Sequence, residues 1–150
     1  MLKFQIAIAT LGGIGYIPYA PGTFGSAAAL IPVFLIAPSD GLLLMMLVPL
    51  LLLGTLASHS AETVLGQDSG SIVIDELCGS LIAVLFLPKT AGYVLAAFLL
   101  FRLFDIWKPW PIGRIDRSVH GGIGIMLDDV LAGIFANLCL QGWVLFSVWG

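Results

Sequence analysis

Most of the groups able to do chemistry sit in two stretches of an otherwise apolar chain. Eight of the 15 charged residues fall within 102–129, RLFDIWKPWPIGRIDRSVHGGIGIMLDD, and Asp68, Asp75 and Glu76 lie in QDSGSIVIDE. Asp75 and Glu76 are flanked by apolar residues on both sides, and Asp128 and Asp129 stand where the last apolar helix is expected to open. Charges at membrane depth are expensive and usually mark a functional site. Helix-start carboxylates favoured by the macrodipole are the plainer account, but two adjacent pairs exceed what capping needs. Clustered carboxylates without a Cys/His set suit a hard, oxygen-seeking cation such as Mg²⁺ or Mn²⁺. Arg102, Asp105 and Lys108 follow at intervals of three, near one helical face that Pro109 and Pro111 end. Carboxylates to hold a metal and cations to neutralise phosphate oxygens are the parts of a metal-assisted phosphoryl site. A structural salt-bridge network has the same look in sequence.

Two weaker signals accompany these. Gly12-Gly-Ile-Gly15 and Pro21-Gly-Thr-Phe-Gly-Ser26 lead into a helix whose first N–H groups, with Thr23 and Ser26, could hold a phosphate. Small residues that let helices pack closely in a membrane explain the same pattern. His59 and His120 are candidate proton carriers or ordinary hydrogen-bonding residues near an interface.

The elements that must position these groups follow from composition. Of 150 residues, 59% are apolar and 10% charged, against roughly 25% charged in a typical soluble domain. Mean hydropathy is +1.08. So few charges leave part of the surface for lipid to cover. The net charge of −3 gives no basis for nucleic-acid binding. Cys78 and Cys139, without CxxC spacing, read as buried free thiols. The apolar run after Lys3 reads as retained: Pro21 follows the one small-residue cleavage point, and the A-x-A pattern is missing.

Charge-free runs place the helices. An all-α integral membrane bundle of four to five hydrophobic helices is expected, as one domain over 1–150, with helices at about 25–37, 41–60, 72–87, 90–104 and 129–149. Pro88 and Lys89 divide 72–104 into a hairpin, since a charge at mid-bilayer costs at least ~2.5 kcal/mol. Segments 12–25, 62–76 and 102–129 then share one side. That side carries Lys3, Arg102, Lys108, Arg114 and Arg117, and the other carries Lys89 alone, so the first is expected to face the cytoplasm. Trp107, Trp110, Trp143 and Trp149 are expected at headgroup level.

Four motifs in order, PGTFGS (21–26), SIVIDE (71–76), FRLFDIWKPWPI (101–112) and HGGIGIMLDDVLAG (120–133), closely resemble the phosphatidylglycerophosphatase A family over nearly the whole chain. The resemblance implies an all-helical fold and Mg²⁺-dependent hydrolysis of phosphatidylglycerophosphate to phosphatidylglycerol and inorganic phosphate at the bacterial inner membrane. By the same resemblance the acidic positions carry over to Asp75, Glu76, Asp105, Asp116, Asp128 and Asp129, and the basic ones to Arg102, Lys108 and Arg117. His59 matches a family histidine in a less diagnostic setting. The expected roles are metal ligation by Asp75, Glu76, Asp128 and Asp129, catalysis by these with Asp105 and His59, and substrate binding by Arg102, Lys108, Arg117, Thr23 and Ser26. Nothing in the sequence specifies an oligomeric state.

Three rivals fit less well. A CDP-alcohol phosphotransferase needs DGxxAR…GxxxDxxxD, and histidine-based lipid phosphatases need PSGH and SRxxxxxH; neither pattern occurs. A transporter expects charges in mid-span, whereas these gather at span ends.

Overall fold

The structure, a computed structural model, describes residues 1–67 and 69–149, without the side chains of 148 and 149. Asp68 and the indole of Trp149 therefore lie outside the described residues. The elements run α1 (Leu2–Ala9), a 3-10 segment (Leu11–Tyr16), α2 (Pro21–Ile36), α3 (Asp40–Leu65), α4 (Ile74–Ala83), α5 (Ala91–Trp107), α6 (Ile112–Ser118) and α7 (Gly121–Trp149). Among the described residues there is no strand, as the all-α expectation required.

Two helices, Asp40–Leu65 and Gly121–Ser147, are long and apolar enough to cross a membrane. By length and composition they point to a membrane-associated protein. The first is capped by Ser39, whose Oγ accepts from the Leu42 amide at 3.3 Å. Its outer face presents Met45, Val48, Leu52 and Leu56, all exposed, at a helical repeat that water would not tolerate. Trp107, Trp110 and Trp143 are likewise exposed.

The short α4 lies at the centre, packed by α7, α2, α3 and α5. It runs parallel to α7. A Cβ on Gly79 would stand 2.6 Å from the Asp129 carbonyl, and one on Gly133 would strike the Gly79 carbonyl. One turn farther on, the Asn137 amide donates to the Ala83 carbonyl across an offset of 54 residues. Glycine is needed at 79 and 133 because the two backbones touch there. One turn toward the other end, the same register sets Asp75 beside Asp129.

Three expectations need correction. The last helix starts at Gly121 rather than 129. The glycines of HGGIG open this helix, with Gly122 and Gly124 lying against the carbonyls of Thr55 and Val119, where any side chain would collide. Asp128 and Asp129 are thus two turns inside α7, which removes the helix-start account of them. The helix expected at 72–87 ends at Ala83, because the carbonyls beyond it are taken by side chains: Asn137 and Gln141 donate to Leu85, and Lys89 donates to Val84 and Leu87. Pro88 and Lys89 do fall between two helices that reverse direction. Finally, Cys78 is buried but Cys139 is exposed, on the outer face of α7.

Candidate active site

A cavity of about 450 Å³ opens where α3, α4, α5 and α7 end or begin. Glu62, Asp75, Glu76, Asp105, Asp116, Asp128 and Asp129 all line it, seven of the nine acidic residues in the chain. Lys108 and His120 share the wall.

Each group is placed by its helix. Asp75 and Glu76 stand in the first turn of α4. Asp128 and Asp129, 7% and 3% exposed, come from α7 by the glycine register above. Asp105 comes from α5, where its Oδ2 accepts from Arg102 Nη1 at 2.6 Å. Arg102 also approaches Glu76 at 3.9 Å. The 3-10 segment and the start of α2 wrap this side closely: a Cβ on Gly22 would clash with Glu76 and lie 2.9 Å from Arg102 Nη1. Close packing against Glu76, Arg102 and Val73 thus requires glycine at 22 and 25.

Lys108 sits at the C-cap of α5 with φ 46°, a left-handed conformation unusual for a side chain of its kind. Pro109 follows directly. That turn carries the ammonium away from the helix face and onto Asp116 and, at 2.6 Å, Asp128. Burial alone would depress the Lys108 ammonium, but the two carboxylates outweigh it and hold the group above its ordinary range. Burial pushes the carboxyl of Asp75, which lies outside both candidate spans, well above the usual carboxylate range. Glu76 and Asp129 push it further the same way.

Two trios of ligand oxygens lie within 4.8 Å of one another: Asp75, Glu76 and Asp129, and Asp105, Asp128 and Asp129. Asp129 belongs to both. Glu76 Oε2 and Asp128 Oδ1 are buried without a hydrogen-bond partner. So many carboxylates with unpaired oxygens cannot share a buried site unless cations or protons offset their charge. The donor set is all oxygen, which fits a hard divalent cation. These buried acidic clusters could bind a metal ion.

Not every expected residue reaches the cavity. Ser26 is fully buried and donates to the Gly22 carbonyl at 2.9 Å, so its hydroxyl is committed to its own helix. Thr23, half-buried in the first turn of α2, does not line the wall. Arg117 turns along α6, its Nε donating to the Gly113 carbonyl at 2.8 Å. His59 is exposed at the rim beside Gly121. Arg102 stands behind Glu76 and Asp105 rather than on the wall. Glu62 was missed by the sequence reading, because a single carboxylate at the end of an apolar helix looks like an ordinary interfacial residue.

A helical, membrane-associated chain with an acid-lined cavity and two embedded cations has the equipment for metal-assisted phosphoryl chemistry. The particular family follows from comparison: the chain belongs to the phosphatidylglycerophosphatase A family, whose sequence model matches residues 7–144. Phosphatidylglycerophosphatase A of Escherichia coli (strain K12) is 42% identical, covering 83% of this chain and 74% of that protein. The Haemophilus influenzae protein of the same name is 40% identical over 89% and 86%. A Bacteroides thetaiotaomicron protein named "Putative phosphatidylinositol-3-phosphatase" is 36% identical over 93% and 94%. No solved structure matches the chain significantly. By its family the chain is a phosphatase, a phosphoric monoester hydrolase.

Proposed function

We propose that the chain hydrolyses phosphatidylglycerophosphate to phosphatidylglycerol and inorganic phosphate, with Mg²⁺, in the biosynthesis of phosphatidylglycerol and cardiolipin at the cytoplasmic face of the bacterial inner membrane. The observation that carries this reading is the pair of carboxylate trios sharing Asp129, beside Lys108 and Arg102. Asp75, Glu76 and Asp129 would hold one cation, and Asp105, Asp128 and Asp129 a second. When bound, the cations supply positive charge that draws electrons from phosphorus and favours attack by water.

The protein's own groups do the rest. Lys108 is the cation on the cavity wall and binds a phosphate oxygen, letting go of one of its two carboxylates to do so. Arg102 holds Asp105 and Glu76 in place from behind, so it positions ligands instead of touching phosphate. The leaving glycerol oxygen takes a proton, and His120 on the wall is a group suited to give it. Water adds to phosphorus as the ester P–O bond breaks, which yields the alcohol and free phosphate.

The membrane frame supports the same reading. Asp40 and Glu62, near opposite ends of α3, are about 33 Å apart at 1.5 Å per residue. That matches the ~30 Å hydrocarbon core. The cavity mouth, at Glu62 and His120, then lies at headgroup depth on the side richer in Lys and Arg, with Asp128 and Asp129 about two turns deeper.

A second headgroup, a phosphatidylinositol 3-phosphate, is favoured by the Bacteroides relative, which matches almost end to end. Phosphate release from phosphatidylglycerophosphate, phosphatidylinositol 3-phosphate and phosphatidic acid, compared at equal surface concentration, separates the two. Preference for the first supports the reading; turnover of the inositol lipid alone overturns it.

A further inference from the structure

A second concavity lies outside the acidic cavity, between α2 and α5. It is a groove of about 290 Å³ in which every lining side chain is apolar. Leu30 and Val94 form its buried floor, while Ile31, Phe34 and Leu95 rise as exposed flanks. The lining positions recur at 27, 30, 31 and 34 on α2 and at 91, 94, 95 and 98 on α5. Each set is one helix face extending for about 10 Å.

The groove points at the site. The first turn of α2 meets the last turns of α5, where Gly22 lies against Arg102. The lining positions come later along α2 and earlier along α5, so the helices run antiparallel and the groove leads away from Arg102. Its near end, at Ala27 and Phe98, is only about 6–8 Å along the helix axes from the Gly22–Arg102 contact. Its far end is bounded by Phe34 and Ala91. Along the axis of α5 the apolar groove comes first, then Arg102, then Asp105 and Lys108 on the cavity wall, which is the order of a phospholipid's hydrocarbon tail and anionic headgroup. A convex helix face would serve any bulk lipid equally, but a groove that ends this near the side chains packed on Glu76 and Asp105 selects a chain whose headgroup is held beside it.

We propose that this groove seats one acyl chain of the phospholipid whose phosphate monoester enters the acidic cavity, an assignment that rests on the lipid-phosphatase reading above. The seated chain tethers the lipid beside the cavity. Its contribution is made equally in ground and transition states, so it acts on KM rather than kcat.

The test has two arms. In the first, Ala27→Phe plugs the near end and Ala91→Phe the far end. The KM for the 16-carbon diacyl phosphatidylglycerophosphate is compared with that for its deacylated headgroup. The ratio of the two should rise about tenfold in each variant relative to wild type; an unchanged ratio in both overturns the proposal. In the second arm, the wild-type protein is photolabelled with phosphatidic acid carrying a diazirine in its acyl chain. Label should map to α2 and α5 at the groove and be displaced by unlabelled phosphatidic acid but not by phosphatidylcholine. Equal labelling by a diazirine phosphatidylcholine shows bulk lipid only and overturns the assignment. Because labelling needs no turnover, it decides the groove even if the wild type hydrolyses no phosphatidylglycerophosphate, a result that would sink the functional reading separately.

Discussion

The two ends of the bundle use the same helices for opposite purposes. At the end remote from the cavity, Lys89 Nζ donates to Asp40 Oδ1 at 2.7 Å and to the carbonyls of Val84 and Leu87 at 2.8 Å. Asp40 also accepts from the Phe86 amide, and Asn137 and Gln141 donate to the carbonyls of Ala83, Leu85 and Phe86. Lys89, Asn137 and Gln141 all find partners there, so this end is a staple that turns the chain between α4 and α5. At the cavity, Glu76 Oε2, Asp128 Oδ1 and Arg102 Nε are buried without one. Both ends hang from one α4–α7 register, whose close point is Gly79 and Gly133. A polar cluster at membrane depth is therefore not functional by its charge alone. What separates the two is whether its hydrogen-bonding capacity is used up within the fold.

The contrast can be broken experimentally, and the largest effect is expected at the cavity. Asp128→Asn should lower kcat by about 10²–10³-fold, the scale for loss of one preorganised electrostatic group. Its thermal midpoint should hold, since a buried charge among like charges is removed; steady-state kinetics beside a melting curve measures both. Lys89→Met should do the reverse. Losing a buried ammonium with three acceptors costs about 2–3 kcal/mol of stability, moderated because Asp40 is a third exposed. Activity per folded molecule should stay within about twofold, read from detergent-solubilised unfolding and specific activity. Gly133→Ala forces α7 off the Gly79 carbonyl and should cost about 1–3 kcal/mol. Unlike Lys89→Met, it should also reduce activity by moving Asp129 relative to Asp75. Asn137→Leu, which removes the side-chain donor to Ala83 and one of the two to Leu85, should cost about 1–2 kcal/mol with activity intact. If it abolished activity instead, the division of labour between the ends would fail.

Much of the cavity was legible in sequence because its acids are the exception in an apolar chain. Asp75, Glu76, Asp105, Asp128, Asp129 and Lys108 all reach the wall, where the motif spacing had grouped them. Less was legible where one residue type serves two purposes. The glycines of PGTFGS and HGGIG precede or open the expected helices in sequence, yet here they stand in α2 and α7, packed on neighbouring side chains and carbonyls, which no local pattern reveals. Arg102 and Arg117 look equivalent to Lys108 by charge. Only the left-handed turn at Lys108 and the carbonyl of Gly113 decide that one faces the cavity and another does not. The far staple was half visible: Lys89 marked a turn, but its bond to Asp40 spans 49 residues and needed the fold.

The most direct test of the central claim is phosphate release from phosphatidylglycerophosphate by the detergent-purified protein, with Mg²⁺ and with EDTA, for the wild type and Asp129→Asn. Asp129 belongs to both carboxylate trios, so the account predicts wild-type turnover that needs Mg²⁺ and collapses in the variant while its fold persists. Turnover that survives EDTA, or a variant as active as the wild type, would contradict it.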